Sequence, residues 1–352
     1  MRIFQHIDEL KDSDGVGNDA IGLHTQFRKL NIESNFITRL PRTGTSLYET
    51  QFYKIDHLPK FSNSDIHILH FGGHGYPLSA FLGAPGKKIL RFHNITPAQY
   101  YKNTTTPEIY SAMEKFESVS YLELASMAIS VDSVWCDSPF NGHVLQSYDF
   151  HSLFHVPICK QYRVETDLVW KSNQNDICFV GRFAPQKKWE DLIVFFSSWK
   201  QKYKDARLKC IGSVIGAFDG YFDFLQQITN NLGIKDSVDF LLGLKDIEVL
   251  QVMRDCLCMV SMSEHEGFCL PILEAFGMGL PVFAFEAGAV RTTMNGGGQI
   301  FNAKNHLTLI NLLETISKDP KQRLSQIQKQ WDALSFYNNY PWQQTLPVLL
   351  NK

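Results

Sequence analysis

Residues 257–275, LCMVSMSEHEGFCLPILEA, decide the fold because they specify a strand, a loop and a helix in direct succession. The apolar run Leu257–Met262 is typical of a buried strand. Pro271 is tolerated in the first turn of a helix and disfavoured deeper, so a helix is predicted to begin near it. Residues 266–270 then form the loop, and Glu274 lies on the first turn or so of the helix. Such a helix start presents free backbone N–H groups to an anion above the strand.

The length and composition of the chain bound its class. With 352 residues, two domains of ordinary size are expected. A hydrophobic fraction of 44% against 20% charged residues excludes a disordered or low-complexity chain. The 34 basic residues nearly balance the 36 acidic ones, so we expect no binding to nucleic acid and at most a weak peripheral association with a membrane.

Targeting signals and cysteines indicate the compartment. The N-terminal stretch lacks the apolar core of a signal peptide, and no run reaches the length of a membrane span. The seven cysteines lie mostly in apolar runs, as reduced core thiols do. Cys256 and Cys258 lack a second cysteine pair or a spaced histidine pair, so we interpret them as structural thiols and expect no metal. A cytoplasmic protein is predicted, which at most associates with the inner face of the membrane.

Short apolar runs alternate with helix-like stretches along the whole chain, which is typical of parallel α/β sheets. In the first half the runs are Ile3–Ile7, Ile66–Phe71, Lys88–His93 and Ser133–Cys136. After a polar patch at residues 171–176 they are Ile177–Val180, Leu208–Ile211, Val238–Leu241, Leu257–Met262 and Pro281–Ala284. We therefore expect two Rossmann-like, doubly wound α/β domains that face each other across a cleft and join near residues 158–175.

A glycine-rich turn follows the first predicted strand. Gly15 and Gly17 let the backbone approach a ligand closely, and the helix that starts there offers N–H groups to an anion. The dinucleotide fingerprint would need a third glycine where Ala20 stands and an acidic residue after the second strand, so an oxidoreductase is not supported. A plain strand-to-helix turn is the alternative interpretation.

Two cations follow the first predicted strand of the second half. Gly181 permits close approach of a ligand, while Arg182 and Lys187 place positive charge at the end of the same sheet. An arginine can fork onto phosphate oxygens and a lysine can act as a point charge, which suits a diphosphate without a metal. The alternative is a pair of solvated surface charges beside a helix start.

Three features together carry a family resemblance: V-G-R-F-x-x-x-K at 180–187, E-x7-E at 266–274, and the glycine-rich first turn. They resemble the retaining glycosyltransferases of family 4, which have the GT-B fold. The resemblance spans nearly the whole chain, and EGFCLPILEA is its most specific part. It implies an acceptor-binding domain at residues 1–160 and a nucleotide-sugar donor domain at 161–335. It also implies a C-terminal helix at 336–352 that returns to the first domain.

The resemblance implies roles for individual residues. Glu274 binds the ribose hydroxyls, Glu266 meets hydroxyls of the transferred sugar, and Arg182 and Lys187 clamp the diphosphate. A two-oxygen carboxylate suits a vicinal diol, and fixed cations stabilise the charge that grows on the diphosphate. The implied donor-binding set is Gly15, Gly17, Gly181, Arg182, Lys187, Gly212, Leu244, Glu266, Gly267, Phe268, Cys269, Leu270 and Glu274.

Residues of the first half complete the expected site. His93 follows a predicted strand, and the resemblance implies a position near the reacting carbon. The catalytic set is then His93, Arg182, Lys187 and Glu266. Gly73, His74 and Asn94 are expected on the acceptor side. A structural histidine and a simple glycine-rich turn are the alternatives for these positions.

The predicted function is a metal-independent, retaining glycosyltransferase without a cofactor, with a nucleotide diphosphate sugar as donor. It moves a hexose to a glycan, lipid-linked or other acceptor, as in polysaccharide biosynthesis. The first candidate for the donor is GDP-mannose. A UDP-sugar-dependent enzyme of the same fold and a catalytically inert nucleotide-sugar sensor are the alternatives. Retention follows from the resemblance only, and no residue chooses between a covalent intermediate and attack from the leaving-group face.

The chain departs from the family pattern at two places. Arg291 and Thr292 stand where many members have Pro-Glu, which could alter donor contacts at that edge. Lys188 replaces a frequent glycine after the clamp lysine and adds a positive charge nearby. Neither departure touches the pair of glutamates.

Overall fold

The computed structural model describes residues 1–11, 14–40, 52–168 and 174–351. These residues form two compact units. Unit 1 comprises Met1–Pro97, Met113–Gln161 and Tyr337–Lys352, and unit 2 comprises Ala98–Ala112 and Tyr162–Phe336. Within the described ranges, none of the helices has the length and apolar character needed to span a bilayer.

Thirteen strands are found in the described residues and form two parallel sheets. They are β1 (Arg2–Ile7), β2 (Glu33–Thr38), β3 (Phe52–Lys54), β4 (Ile66–Phe71), β5 (Lys87–Phe92), β6 (Ser133–Cys136), β7 (Leu153–His155), β8 (Ile177–Val180), β9 (Leu208–Gly212), β10 (Val238–Leu242), β11 (Cys258–Ser261), β12 (Val282–Phe285) and β13 (Gln299–Phe301).

The α-helices of the described chain lie between and after these strands. They are α1 (Gly15–Lys29), α2 (Leu78–Leu82), α3 (Pro107–Met127), α4 (Pro139–Leu145), α5 (Trp189–Lys202), α6 (Asp219–Asn231), α7 (Asp246–Arg254), α8 (Leu270–Gly277), α9 (Val290–Met294), α10 (His306–Lys318), α11 (Pro320–Asn338) and α12 (Trp342–Asn351). Short 3-10 turns lie at Ala98–Tyr101, Pro185–Lys187, Gly216–Phe218 and Lys235–Ser237.

The sheet of unit 1 has the strand order β3-β2-β1-β4-β5-β6-β7. Successive side chains of a strand point to opposite faces, so each central strand feeds two cores. On one face Phe4, Leu69 and Leu90 pack together. On the other face Ile68 packs with Trp342 and further apolar residues of α12. This apolar contact explains why the C-terminal helix belongs to unit 1.

The sheet of unit 2 has the order β10-β9-β8-β11-β12-β13. Chain order reverses direction between β8 and β11, which makes a switch point where the ends of two adjacent strands open a crevice. In unit 1 the corresponding switch point lies between β1 and β4. Ligands of such sheets bind outside the carboxyl ends of the strands, so functional residues are expected at these two switch points.

The structure differs from the sequence expectations at three places. The helix predicted near Pro271 starts at Leu270, because Cys269 takes the left-handed cap position with φ 70° and leaves Pro271 in the first turn. Leu270 is therefore helical and does not belong to the loop. Three-residue strands such as β3, β7 and β13 escaped prediction, since three residues are too few to show an apolar period. Residues 171–173 of the polar patch lie outside the described chain.

The third difference concerns residues 98–112, which were expected in the first domain and belong to unit 2. Tyr101 stacks on Phe218 with ring centroids 5.3 Å apart and planes 3° from parallel. Tyr100 donates a hydrogen bond to the backbone oxygen of Glu264 at 3.1 Å. These aromatic and polar contacts hold the segment on unit 2.

Candidate functional site

Most of the predicted donor-binding residues lie at the switch point of unit 2. Residues 181–187 follow β8, and the loop 262–269 follows β11, so their parent strands are direct neighbours in the sheet. The two segments are joined by an ion pair: Lys187 Nζ lies 2.8 Å from Glu266 Oε1 and 2.7 Å from Oε2. The side chains are 16% and 4% exposed, so the pair is shielded from water on most sides.

The pairing joins two residues whose predicted roles differ. Lys187 was assigned to the diphosphate and Glu266 to the sugar, and the structure brings both groups to a single point. A lysine that holds a buried carboxylate can exchange that partner for a phosphate oxygen, because both are anionic acceptors. The Lys187–Glu266 pair therefore carries no net charge before any ligand binds.

Of the two glycines beside the pair, Gly212 is required sterically, whereas Gly181 has room for a Cβ. A Cβ on Gly181 would lie 3.8 Å from Cδ and Cε of Lys187, which shows that the lysine stem passes directly over this residue. A Cβ on Gly212 would lie 1.9 Å from the carbonyl oxygen of Gly181, so a side chain there would force β9 away from this turn. Gly212 thus serves close packing of the two strand ends.

Arg182 presents its charge to solvent while its backbone is fixed. The residue is exposed, and its carbonyl oxygen accepts a hydrogen bond from Trp189 Nε1 at 3.0 Å. Trp189 is fully buried and stacks on Phe183. The main chain at Arg182 is therefore anchored to the core, and the guanidinium is available at the edge of the sheet.

The loop between the two glutamates is held by α9. The backbone oxygen of Glu266 accepts from Ala289 N at 2.9 Å, and that of Phe268 accepts from Thr293 Oγ1 at 2.5 Å. Burial is the main cause that raises the pKa of the Cys269 thiol well above its ordinary value, so we expect an unreactive sulfur.

The remaining predicted donor residues of unit 2 are partly accessible to solvent. Gly267 and Leu270 are half-buried, as are Leu244, which precedes α7, and Glu274, which lies in the second turn of α8. Glu274 thus lies on the helix and Glu266 in the loop before it, as the sequence predicted.

In unit 1 the glycine-rich turn before α1 is closed by a capping side chain of the turn itself. The Asp14 side chain caps the helix by accepting from Gly17 N at 2.6 Å. A Cβ on Gly17 would lie 1.7 Å from the carbonyl oxygen of Lys11, so glycine is required by close packing of the turn. Gly15 begins the helix and is half-buried. Both glycines belong to unit 1, whereas the other predicted donor residues belong to unit 2.

Two of the predicted acceptor-side residues of unit 1, Gly73 and His74, lie against α3. Gly73 has φ 133°, and a Cβ there would lie 2.3 Å from Cζ of Phe116. His74 receives support from the same helix: its N–H donates to Ser120 Oγ at 2.8 Å, and its Nδ1 lies 2.7 Å from Glu123 Oε1. The His74 side chain is 50% exposed, so its imidazole is accessible at this edge.

His93 lies directly after β5, as predicted, and its ring is buried in a polar network. Its Nε2 lies 3.0 Å from Nδ1 of His70, and its Nδ1 lies 3.3 Å from Oδ2 of Asp137. The side chain is only 3% exposed. The next residue, Asn94, has φ 89°, a left-handed conformation that asparagine tolerates.

An ion pair lies beside this network. Arg91 donates to both oxygens of Asp19 at 2.7 and 3.0 Å, and both side chains are fully buried. Burial works to raise the pKa of Asp19, but the charge and hydrogen bonds of Arg91 outweigh it and hold that pKa below its ordinary value. Burial lowers the pKa of His70 well below its usual range.

Among the described residues, Asp19, His70 and His93 place possible metal-ligand atoms within 4.8 Å of one another. The guanidinium of Arg91 already occupies the carboxylate of Asp19 from both oxygens. A divalent cation would have to share that carboxylate with a buried positive charge, which is unfavourable. We therefore interpret the group as a hydrogen-bonded network.

The sequence did not identify several residues that shape the site of unit 2. They are Glu264 in the loop itself, and Lys304 and Tyr100, which contact Glu264 from two segments that are distant in sequence. Glu264 stands two residues before the E-x7-E motif, and the sequence predicted no role for it. Lys304 and Tyr100 follow a short strand and a proline turn, where no spacing rule identifies them.

Residues 163–331 match the family of glycosyl transferases group 1. The match covers nearly all of the contiguous part of unit 2, including both glutamates and both cations. The O-antigen chain mannosyltransferase RfbU of Salmonella typhimurium is 25% identical over 170 residues, which are 48% of this chain and 43% of RfbU. The chain spans less than half the length of the curated relatives that it matches.

Solved structures resemble the whole chain. Sucrose-phosphate synthase of Thermosynechococcus elongatus aligns with a TM-score of 0.76 at 12% identity, covering 100% of this chain and 98% of that one. HepE of Anabaena, in complex with UDP and glucose, aligns with a TM-score of 0.72 at 16% identity, covering 100% and 99%. The fold of this chain is GT-B, with two Rossmann-like α/β domains.

Proposed function

We propose that this protein is a glycosyltransferase whose unit 2 binds a nucleotide diphosphate sugar at its switch point. The observation that carries the proposal is the Lys187–Glu266 pair beside the exposed Arg182, at the carboxyl ends of β8 and β11. Two cations match a diphosphate, and a carboxylate matches sugar hydroxyls. The family match over the same segment supports this reading.

The residues suggest how transfer proceeds. When the donor binds, Lys187 moves from Glu266 to the diphosphate, and Glu266 accepts a hydrogen bond from a hydroxyl of the hexose. The bond between the anomeric carbon and the phosphate oxygen then breaks, with its electrons going to that oxygen. Arg182 and Lys187 stabilise the charge that develops there. The acceptor oxygen bonds to the anomeric carbon and gives up its proton to the departing nucleoside diphosphate.

We propose retention of the anomeric configuration on the family resemblance, and the residues are compatible with a covalent intermediate or same-face attack. For the donor we propose a hexose, with mannose from GDP-mannose first. The name of RfbU, a mannosyltransferase, supports that choice. The UDP and glucose bound to HepE support a UDP-sugar as the alternative. Glu274 is proposed to hold the ribose.

We propose that unit 1 binds the acceptor, a glycan or lipid-linked saccharide. The half-exposed imidazole of His74 supports this, because it lies at the carboxyl end of β4 and offers a polar group to a hydroxyl. Gly73 and Asn94 give the backbone beside it a shape that ordinary residues avoid. We propose that His93 contributes to the same site from a buried position, where its ring contacts His70 and Asp137.

A thermal-shift panel of nucleoside diphosphates and their sugars tests the proposal. The native donor at a hundredfold its dissociation constant should add about 2.7 kcal/mol to the free energy of unfolding. Transfer is then assayed with that donor, with and without saccharide acceptors. If no nucleotide of the panel raises the unfolding temperature, the proposal is wrong. Binding without hydrolysis or transfer would identify a sensor in place of an enzyme.

We also propose that no metal bridges the donor, because two cations already face the diphosphate position. Turnover should survive exhaustive chelation with EDTA and show no increase on adding Mg²⁺ or Mn²⁺. A strict requirement for either ion would contradict the cation clamp.

A further inference from the structure

Glu264, two residues before Glu266, is held through its backbone and its side chain by three different segments. Its N–H donates to the carbonyl oxygen of Gln186 at 2.9 Å. Its carbonyl oxygen accepts from Tyr100 Oη at 3.1 Å. Its carboxylate accepts from Lys304 Nζ at 2.7 Å. Each kind of hydrogen-bonding group that this residue has is therefore engaged.

The carboxylate of Glu264 belongs to a network of charges. Lys304 Nζ also lies 2.5 Å from Asp191 Oδ2. Lys188 Nζ lies 3.6 Å from Glu264 Oε2 and 3.5 Å from Glu190 Oε1. The network joins the start of α5, the segment after β13 and the loop after β11. Linked charges of this kind restrain geometry better than an isolated surface pair does.

Only His265 separates the anchored residue from Glu266. The His265 ring lies against Tyr100, with centroids 5.5 Å apart. His265 is buried, and this burial lowers its pKa to about 4, so the ring is neutral at physiological pH. On the other side, Ala289 N fixes the backbone oxygen of Glu266. The backbone on both sides of the Glu266 side chain is therefore immobilised by contacts outside the loop.

We propose that Glu264 is a positioning residue that fixes the carboxylate of Glu266 for contact with the hexose. The inference rests on the proposed function and adds a residue to which no role has been given. It also assigns a role to Lys188, whose charge helps to hold Glu264 and is not directed at the donor. Hydrogen bonds to a reacting sugar lose strength when the acceptor shifts by a fraction of an ångström, so positioning affects turnover.

The experiment is a double-mutant cycle on the full chain with the donor found by the nucleotide panel. Glu264→Gln keeps the size of the side chain and removes its charge. We expect kcat to fall about tenfold, with the affinity for the bare nucleoside diphosphate within about twofold of wild type. In a Glu266→Gln background the same change should cause no further loss, because it acts through Glu266.

Two further variants complete the design. Tyr100→Phe removes the hydrogen bond to the Glu264 carbonyl and should lower kcat in the same direction while the charge network stays intact. Glu314→Gln is the matched control, since Glu314 of α10 is likewise held by a lysine and a tyrosine, Lys318 at 2.9 Å and Tyr203 at 2.9 Å, which are not part of the Glu264 network. We expect wild-type kinetics from it. Unfolding temperatures of all variants are compared, and Tyr100→Phe carries the test if Glu264→Gln is unstable.

The outcomes separate this inference from the proposed function. A wild-type protein that binds no nucleotide sugar overturns both. An active wild type with an equal loss in the wild-type and Glu266→Gln backgrounds overturns the positioning role alone. A gain in nucleotide affinity in Glu264→Gln would show that the released Lys188 and Lys304 bind phosphate directly, and it would also overturn the role.

Discussion

Units 1 and 2 both bring two central strands to a switch point, β1 beside β4 and β8 beside β11. Each unit also has an ion pair among the predicted or neighbouring residues, and the two pairs differ in how far they are buried. The Arg91–Asp19 pair of unit 1 is fully buried, and Arg91 donates to both carboxylate oxygens. The Lys187–Glu266 pair of unit 2 keeps its lysine partly exposed. A ligand cannot reach a fully buried pair, which we call closed. A pair with a partly exposed lysine, which we call open, can exchange its carboxylate for an anionic group of the ligand. We infer that the charges of unit 1 hold the fold and those of unit 2 meet the ligand.

The largest expected effect comes from breaking the closed pair. Arg91→Ala leaves the carboxylate of Asp19 buried without a cation and should cost about 3–5 kcal/mol of unfolding free energy. Hydrogen exchange of β4 and β8 peptides in urea reports the two units separately. The matched control is Arg39→Ala, whose exposed pair with Asp8 should contribute less than about 1 kcal/mol. Equal losses from both variants would contradict a structural role for the closed pair.

The sequence predicted the parts of each unit that depend on local pattern. The apolar runs of β4, β8 and β11 and the proline near the start of α8 were enough to predict both parallel sheets and the strand-loop-helix element. Short strands such as β3 were missed because three residues show no period. The placement of residues 98–112 in unit 2 depends on aromatic contacts that no local pattern encodes.

The site was predictable as a set of residues and not as a set of contacts. Lys187 and Glu266 were identified by their motifs, but they lie 79 residues apart and their pairing has no signature in sequence. Asp19 and Arg91, 72 residues apart, were not identified at all, because an aspartate in a helix and an arginine in a strand are unremarkable alone. The burial of the His93 ring depends on the same kind of distant partner.

The second prediction tests the open side of the comparison with Arg182. Arg182→Ala should raise the barrier to turnover by roughly 2–4 kcal/mol, since it removes one cation from the developing charge. The fold should be unchanged, because Trp189 bonds to the backbone oxygen and not to the guanidinium. Steady-state rates and unfolding temperatures are measured together. Wild-type turnover in this variant would remove Arg182 from the clamp.

The third prediction separates the two glutamates of unit 2. Glu274→Gln should weaken the bare nucleotide and the intact donor by similar factors, about tenfold, because the ribose is common to both. Glu266→Gln should bind the bare nucleotide at least as tightly as wild type, because Lys187 is released to the diphosphate, while turnover falls and selectivity between sugars differing in one hydroxyl is lost. Calorimetry with the nucleotide and rates with the donor give the comparison. The reverse pattern would exchange the two assignments.

The smallest effect concerns the strain of a left-handed backbone, which occurs in both units. Asn94 of unit 1 and Cys269 of unit 2 have φ values of 89° and 70°, and asparagine tolerates this region better than cysteine does. Cys269→Gly should therefore be more stable than Cys269→Ala by about 1 kcal/mol, because both lose the sulfur and only glycine escapes the strain.

Ala275 supplies the matched control for this comparison, since it lies within α8, where alanine suits the helix. Ala275→Gly should lower stability by roughly 0.5–1 kcal/mol, the opposite sign to the glycine–alanine difference at 269. Urea unfolding of the three variants and wild type gives both differences. If Cys269→Ala proved as stable as Cys269→Gly, the loop would carry no strain. If Cys269→Gly gained stability and lost turnover, the strain would belong to the function of unit 2, because backbone strain is retained where a site needs it.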